Sequence, residues 1–581
     1  MRFLIGLFVF WSSILGLMLT IKNKTKIKNE FLLALTFTLV GIIMFIAGIL
    51  NIMKLTVFIL ILFGNGVLLY NFVNCIKAKK LKKTIVSCFI KLKEEGQLIS
   101  LIFQIIIFIY ITIMAFHVHL THYDNFSHWA IIVKNIFNNN SLPNFQSTVI
   151  SFKGYQPGSA CFIYYFGLLT GKLDASMIVA QNYLTFSYLT VLFNLIRKNK
   201  TVSNVILLLV YSVFVYSTLV QFNELLVDAQ LSVIMLSTII LIDNYKDNLK
   251  NAVFYGLPFL VFMLLVKNTG LVFALFCCAY IFFLAIFKKQ YKEGFKYAII
   301  IGLVLLFFFV IWQQHVVLVF GKTALNSKHA LSSGNIIANV QNTGLSNIKL
   351  FIKLYLQKSF SLNTRPTQCI FFINLLIIPF LFFKKARKTT TEILGKINLL
   401  YICYFAVLAL MYILSMPWNE AKVVASYDRY MYTIIITIFG IVIYYIITNL
   451  KNTKNIYIII TLLLSAFMAF HIYSHKDSAK VLFGIEDYKD SLVEKYNEVL
   501  EYIPMNKSNY YVYSPKSTDP SYMKYISYYY LNTTSVSILT DIQQVDNINY
   551  GTLILLENNN VKEQLSSKGW ENINKYVYIK E

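Results

Sequence analysis

The sequence predicts an all-α polytopic membrane bundle of about 14 transmembrane helices, followed by a small C-terminal α/β domain. Three observations predict it. Of the 581 residues, 57% are hydrophobic and only 14% charged, against about 25% charged in an ordinary globular domain, and the mean hydropathy is +0.61. Apolar runs able to cross a bilayer core of about 30 Å recur along residues 1–475. Beyond them, residues 475–581 become polar and alternate helical with strand-like patterns. Together these exclude a soluble enzyme, a disordered scaffold and a disulfide-rich secreted module.

In chain order, spans are expected near 3–20, 31–50, 55–73, 98–118, 176–196, 203–220, 227–243, 252–266, 271–287, 297–316, 367–384, 397–415, 431–449 and 456–474. The first is followed by so many others that it reads as an anchor and not a removed signal peptide. Residues 1–97 form a three-span N-terminal extension, and 98–474 form the transmembrane core. Segment 159–170, flanked by Pro157-Gly158 and Gly171, is too short to cross and suits a re-entrant or interfacial helix. In the tail, Asp490 to Ile503 is amphipathic and Pro520 to Leu531 helical. Strands are expected at Tyr510 to Tyr513, Val536 to Leu539, Thr552 to Leu556 and Tyr576 to Ile579, in a largely parallel sheet.

Charge sets the orientation. The net charge of +25 would point to nucleic acid in a soluble chain, but here the lysines crowd short links between apolar runs, so no nucleic-acid partner is implied. One topology puts all the basic links in the cytoplasm: Lys22 to Lys28, Lys77 to Lys83, Arg197-Lys198-Lys200, Lys246/Lys250, Lys288 to Lys296, Lys384 to Lys388 and Lys451/Lys454. It requires that 159–170 not cross. Both termini then lie outside, as do loops 119–158, 317–366 and 416–430 and the tail, in a multi-pass protein of the cell membrane. The seven cysteines show neither a disulfide framework nor a zinc pattern.

This topology sorts the acids. Asp124, Asp174, Glu224, Asp228, Glu420 and Asp428 all fall on the outer side, and carboxylates near membrane depth tend to be functional. Glu224 and Asp228, four apart, share a helical face. Arginine is scarce, yet Arg365 and Arg429 stand at outer span ends, where bidentate phosphate or carboxylate geometry would explain a choice over lysine. A carboxylate can take a proton from a hydroxyl, a guanidinium can steady phosphate charge, and Trp129 and Tyr155 offer flat faces for a sugar. Simpler roles compete: Asp124 as a helix N-cap, Trp129 and Tyr155 as interfacial anchors, and Arg429 as a partner of Asp428. His117, His119, His122 and His128 lack a strict ligand spacing, so a divalent metal finds no support. No phosphate-cradling glycine loop is present.

Asp124 after an early span with its aromatic-rich sequel, the Tyr155-Gln-Pro-Gly158 turn into a short helix, and the late Tyr427-Asp-Arg-Tyr430 together resemble the GT-C class of membrane glycosyltransferases. The resemblance covers roughly residues 98–474. It implies transfer from a polyprenyl-phosphate-linked sugar to a glycan, lipid or polymer acceptor of the cell envelope on the extracytoplasmic face, among membrane lipids. Asp124 would be the single base in an inverting displacement. Arg429, with Arg365 as second choice, would hold the phosphate, and Glu224, Asp228, His128, Trp129 and Tyr155 would line the substrate site. Members usually carry an acidic pair in that loop, whereas Asp124 is followed by Asn125. A transporter, flippase or polymerase for a lipid-linked glycan is the alternative.

Overall fold

A computed structural model describes the chain except residues 80, 95–96, 197–200, 219–221, 327–332, 385, 450–453, 490, 504–508, 516–518, 557–561, 575 and 581. Lys80, the Arg197-Lys198-Lys200 link, Lys385, Lys451 and Asp490 therefore lie outside the described residues. Among those described, ten helices are long and apolar enough to cross a membrane: Arg2–Lys24, Asn29–Ile49, Met53–Lys77, Gln97–Ala115, Leu249–Val266, Gly270–Phe287, Tyr291–Phe320, Arg365–Phe382, Arg387–Ser415 and Tyr427–Thr448. The chain is a multi-pass helical membrane protein. Exposed side chains such as Phe58, Leu62 and Phe63 on Met53–Lys77, and Leu303, Leu306 and Phe307 on Tyr291–Phe320, supply the apolar surface that lipid requires.

The other four expected spans are also helical, at Asp174–Asn194, Thr201–Thr218, Asp228–Asn244 and Lys454–Ser474. The first and third are buried nearly throughout, and every residue from Ser176 to Phe193 is covered. A helix with no lipid contact need not be hydrophobic all round, so these two can carry polar groups that bind other elements. Asn182 Nδ2 donates to the Phe222 carbonyl at 2.8 Å, Ser232 Oγ to the Thr433 carbonyl at 2.6 Å and Ser237 Oγ to the Tyr188 carbonyl at 2.9 Å. The least lipid-like helices thus occupy the centre.

The short segment forms helix Gly158–Thr170, buried along most of its length. Phe162 packs on Phe10 and Phe37, and the Tyr165 hydroxyl shares a 2.7 Å hydrogen bond with Ser13. The piece is thus held among the other helices of the bundle. Its entry explains the glycine: a Cβ at Gly158 would lie 2.6 Å from the Leu265 carbonyl oxygen. A correction concerns 317–366, expected as a loop. It holds the helix Ser333–Phe360, kinked at Gly344, where φ is +68°. Lysines at positions 349, 353 and 358 interrupt the apolar run, while Phe351 and Tyr355 pack on Tyr412 and the Tyr355 hydroxyl donates to the Phe405 carbonyl at 2.9 Å.

The bundle has two chemically different ends. At one, the Lys28 amide donates to the Tyr245 hydroxyl at 2.7 Å, and Lys288 pairs with Asp247 at 2.7 Å, so three basic links meet. At the other stand the last turn of Gln97–Ala115 and the first turns of Asp228–Asn244 and Tyr427–Asn449. The C-terminal domain joins them there.

That domain holds a five-stranded sheet in the order β2-β1-β3-β5-β4, formed by β1 (Tyr510–Tyr513), β2 (Val536–Leu539), β3 (Gly551–Leu555), β4 (Glu571–Asn574) and β5 (Val577–Lys580). β1 is parallel to β2 and β3, but β5 is antiparallel to β3 and β4. The largely parallel expectation is corrected to a mixed sheet: β4 and β5 lie too close in sequence for a crossover, so they pair as a hairpin. Helix Pro520–Leu531 forms where expected, capped by Asp519.

Candidate functional site

The site grows from the segment after Gln97–Ala115. There Asp124 precedes a π-helical turn, Asn125–Trp129, that runs into helix Ala130–Asn139. Asp124 stands at the N-cap, yet its side chain makes no capping bond. Its carboxylate instead accepts from Arg429 Nη1 at 2.7 Å. The same guanidinium lies with Nε 3.7 Å from Asp228 Oδ2, and Asp228 Oδ1 takes the Lys267 ammonium at 2.6 Å. Two carboxylates and two cations thus alternate across four helix ends. Arg429, expected as a partner of Asp428 or of phosphate, is held by Asp124 and Asp228.

Glu224 lies beneath this row. Its buried carboxyl group accepts from Thr121 Oγ1 at 3.2 Å, from the His122 amide at 3.1 Å and from Asn125 Nδ2, while the Leu225 amide donates to Asn125 Oδ1 at 3.0 Å. Asn125, the residue that breaks the acidic pair, therefore stitches the Asp124 segment to the Glu224 segment. Burial pushes the Glu224 carboxyl up to about 8, although those hydrogen bonds pull it down. Glu224 positions the loop and does not line the cavity.

The cavity has a volume of about 160 Å³; Asp124, His128, Trp129, Tyr155, Lys267 and Arg429 are among its lining. Aromatic rings form much of one wall: Tyr155 stacks on Phe152 at 5.4 Å, and His128 meets the Tyr155 ring edge-on at 4.5 Å. Burial holds the His128 imidazole down at about 3, hence neutral at ordinary pH, and lowers His122 as well. Lys267 and the Arg429 guanidinium lie 5.7 and 5.4 Å from the Tyr430 ring centre. Among the described residues no three His, Cys, Asp or Glu side chains gather as a metal site.

The backbone that delivers Arg429 is strained. Val424 and Ser426 have φ of +48° and +56°, a region that a β-branched residue avoids. The Tyr412 hydroxyl donates to the Ala425 carbonyl, and Lys358 Nζ to the Val424 carbonyl at 3.2 Å, pinning this turn from two helices.

Of the residues singled out in the sequence, Asp124, Arg429, Asp228, His128, Trp129 and Tyr155 converge, with Glu224 one layer below. Arg365 does not join them: its guanidinium donates to Gln368 at 3.2 Å and lies 5.3 Å from the Phe470 ring centre. Lys267 was missed. Its signal was a lysine in the short link between runs 252–266 and 271–287, on the side where orientation asks for none. The C-terminal domain closes over the loop: Tyr522 donates to the Thr121 carbonyl at 2.8 Å, and Phe126 packs on Tyr522, Tyr529 and Tyr530.

The fold and site define a multi-pass helical membrane protein with a charged, aromatic-walled cavity at one end of its bundle. Comparison with protein-family models, with curated proteins and with solved structures finds no match to this chain.

Proposed function

We propose that the chain is a membrane glycosyltransferase of the GT-C type, moving a sugar from a polyprenyl-phosphate-linked donor to a cell-envelope acceptor. In this reading all fourteen helical segments cross, and the cavity and both termini are extracytoplasmic. The observation that carries it is the meeting of Asp124, Arg429 and Lys267 on one aromatic-walled cavity. At about 160 Å³ the cavity is well below the ~300–1,000 Å³ of whole-ligand sites. It suits the reacting head of a ligand whose long tail stays in lipid.

The acceptor hydroxyl oxygen bonds to the anomeric carbon as the bond from that carbon to the phosphate oxygen breaks. The electron pair leaves on polyprenyl phosphate, whose charge faces Arg429 and Lys267. The hydroxyl proton passes to Asp124. A single displacement inverts the anomeric centre, and an oxocarbenium-like transition state fits the aromatic wall.

The test is transfer of a labelled sugar from a lipid-linked donor by the purified protein. Transfer abolished in Asp124→Asn supports the assignment; near-normal transfer defeats it. Movement of the intact donor across vesicles, with no bond broken, would favour the flippase alternative.

A further inference from the structure

The Arg429 guanidinium sits between two carboxylates but fully engages only one. Its Nη1 bonds Asp124 at 2.7 Å, while its Nε stands 3.7 Å from Asp228 Oδ2. Both Arg429 Nε and Asp228 Oδ2 are buried without a hydrogen-bond partner among the described residues. A shift of about 0.8 Å would complete that second contact. The two acids also differ in reach: the Asp124 side chain is 29% exposed and that of Asp228 4%. The cations on the cavity, Lys267 and Arg429, are both already occupied by carboxylates.

An anion entering this cavity must therefore compete for a cation, and Asp124 is the competitor it can reach. We propose that Arg429 is a latch: an anionic phosphate head group displaces Asp124 from the guanidinium, Asp228 retains Arg429 in place, and the freed Asp124 Oδ2 becomes available for a proton. The proposal rests on the reading of Asp124 as base and adds an order to it. The phosphate-bearing ligand binds before Asp124 can act, so an acceptor alone meets an engaged base. Asp228 is a positioning residue, acting through Arg429.

The latch makes a counter-intuitive prediction for binding. Farnesyl phosphate serves as probe with the full-length protein in detergent, and farnesol, with the same chain and no charge, as control. Asp124→Asn removes the competitor, so farnesyl phosphate should bind about tenfold tighter, with farnesol unchanged. In an Arg429→Gln background, where no guanidinium remains to be freed, the same substitution should have no effect. Equal tightening in both backgrounds would reduce the effect to charge removal and overturn the latch. Should Arg429→Gln not fold, salt separates the two: a diffuse charge effect fades with ionic strength, and release of a made hydrogen bond persists. Unchanged affinity in Asp124→Asn overturns the latch while leaving an anion site. Absence of farnesyl phosphate binding to the native protein overturns both the latch and the transferase reading.

Discussion

Glu224 offers a perturbation whose size follows from the site. Glu224 is 1% exposed, and burial raises its carboxyl from an unfolded value near 4.5 to about 8. The folded state therefore holds a proton that the unfolded chain has lost over this range, so stability falls as pH rises toward 8 and levels off above it. Between pH 7 and pH 9 the loss amounts to about 1 kcal/mol. Over this range the histidines beside Asp124 add little: His122 and His128 are lowered, so their stability gain is mostly complete by about pH 7. In Glu224→Gln this pH-dependent loss should vanish. Thermal or denaturant unfolding of the detergent-solubilised protein, followed by tyrosine and tryptophan fluorescence at both pH values, measures it. An identical pH slope in native and Glu224→Gln proteins would refute the argument that a buried, protonated Glu224 holds the Asp124 loop.

Other expectations follow from the same geometry. Asp124→Asn should lower sugar transfer at least ~100-fold without lowering the melting temperature, checked by radiolabel transfer and thermal unfolding on one preparation. Lys267→Met leaves the buried Asp228 carboxylate without its 2.6 Å partner and should cost about 3 kcal/mol; unfolding titrations should show Lys267→Met/Asp228→Leu recovering much of it. Tyr529→Phe deletes the 2.5 Å hydrogen bond to Asp174 and should loosen the C-terminal domain by about 1.5–3 kcal/mol, seen as faster proteolysis near residues 484–491.

Legibility in the sequence followed what each residue faces. Helices in contact with lipid declared themselves by hydropathy, and helix Pro520–Leu531 by its Asp519-Pro520 start. The central helices Asp174–Asn194 and Asp228–Asn244 were found as apolar runs, yet their polar residues look like flaws until the partners at Phe222 and Thr433 are known. Ser333–Phe360 was missed because lysine and asparagine spacing reads as loop when the opposing helix is unseen. Strand β4, Glu-Asn-Ile-Asn, carries no alternation, since it is an edge held by its hairpin with β5. Scarcity made Arg429 visible among many lysines. Lys267 and Asn125 acquire meaning only through Asp228 and Glu224, contacts that no local pattern encodes.

The docking of the C-terminal domain has a consequence for how the protein is made. Lys134 donates to the Tyr529 carbonyl at 2.7 Å across 395 residues, and Tyr522 reaches Thr121 across 401. Every span is synthesised and inserted before these tyrosines leave the ribosome. The segment bearing Asp124 thus gains its final supports only after the last span has been made, and a chain that stops before Tyr522 delivers a bundle without a completed working end.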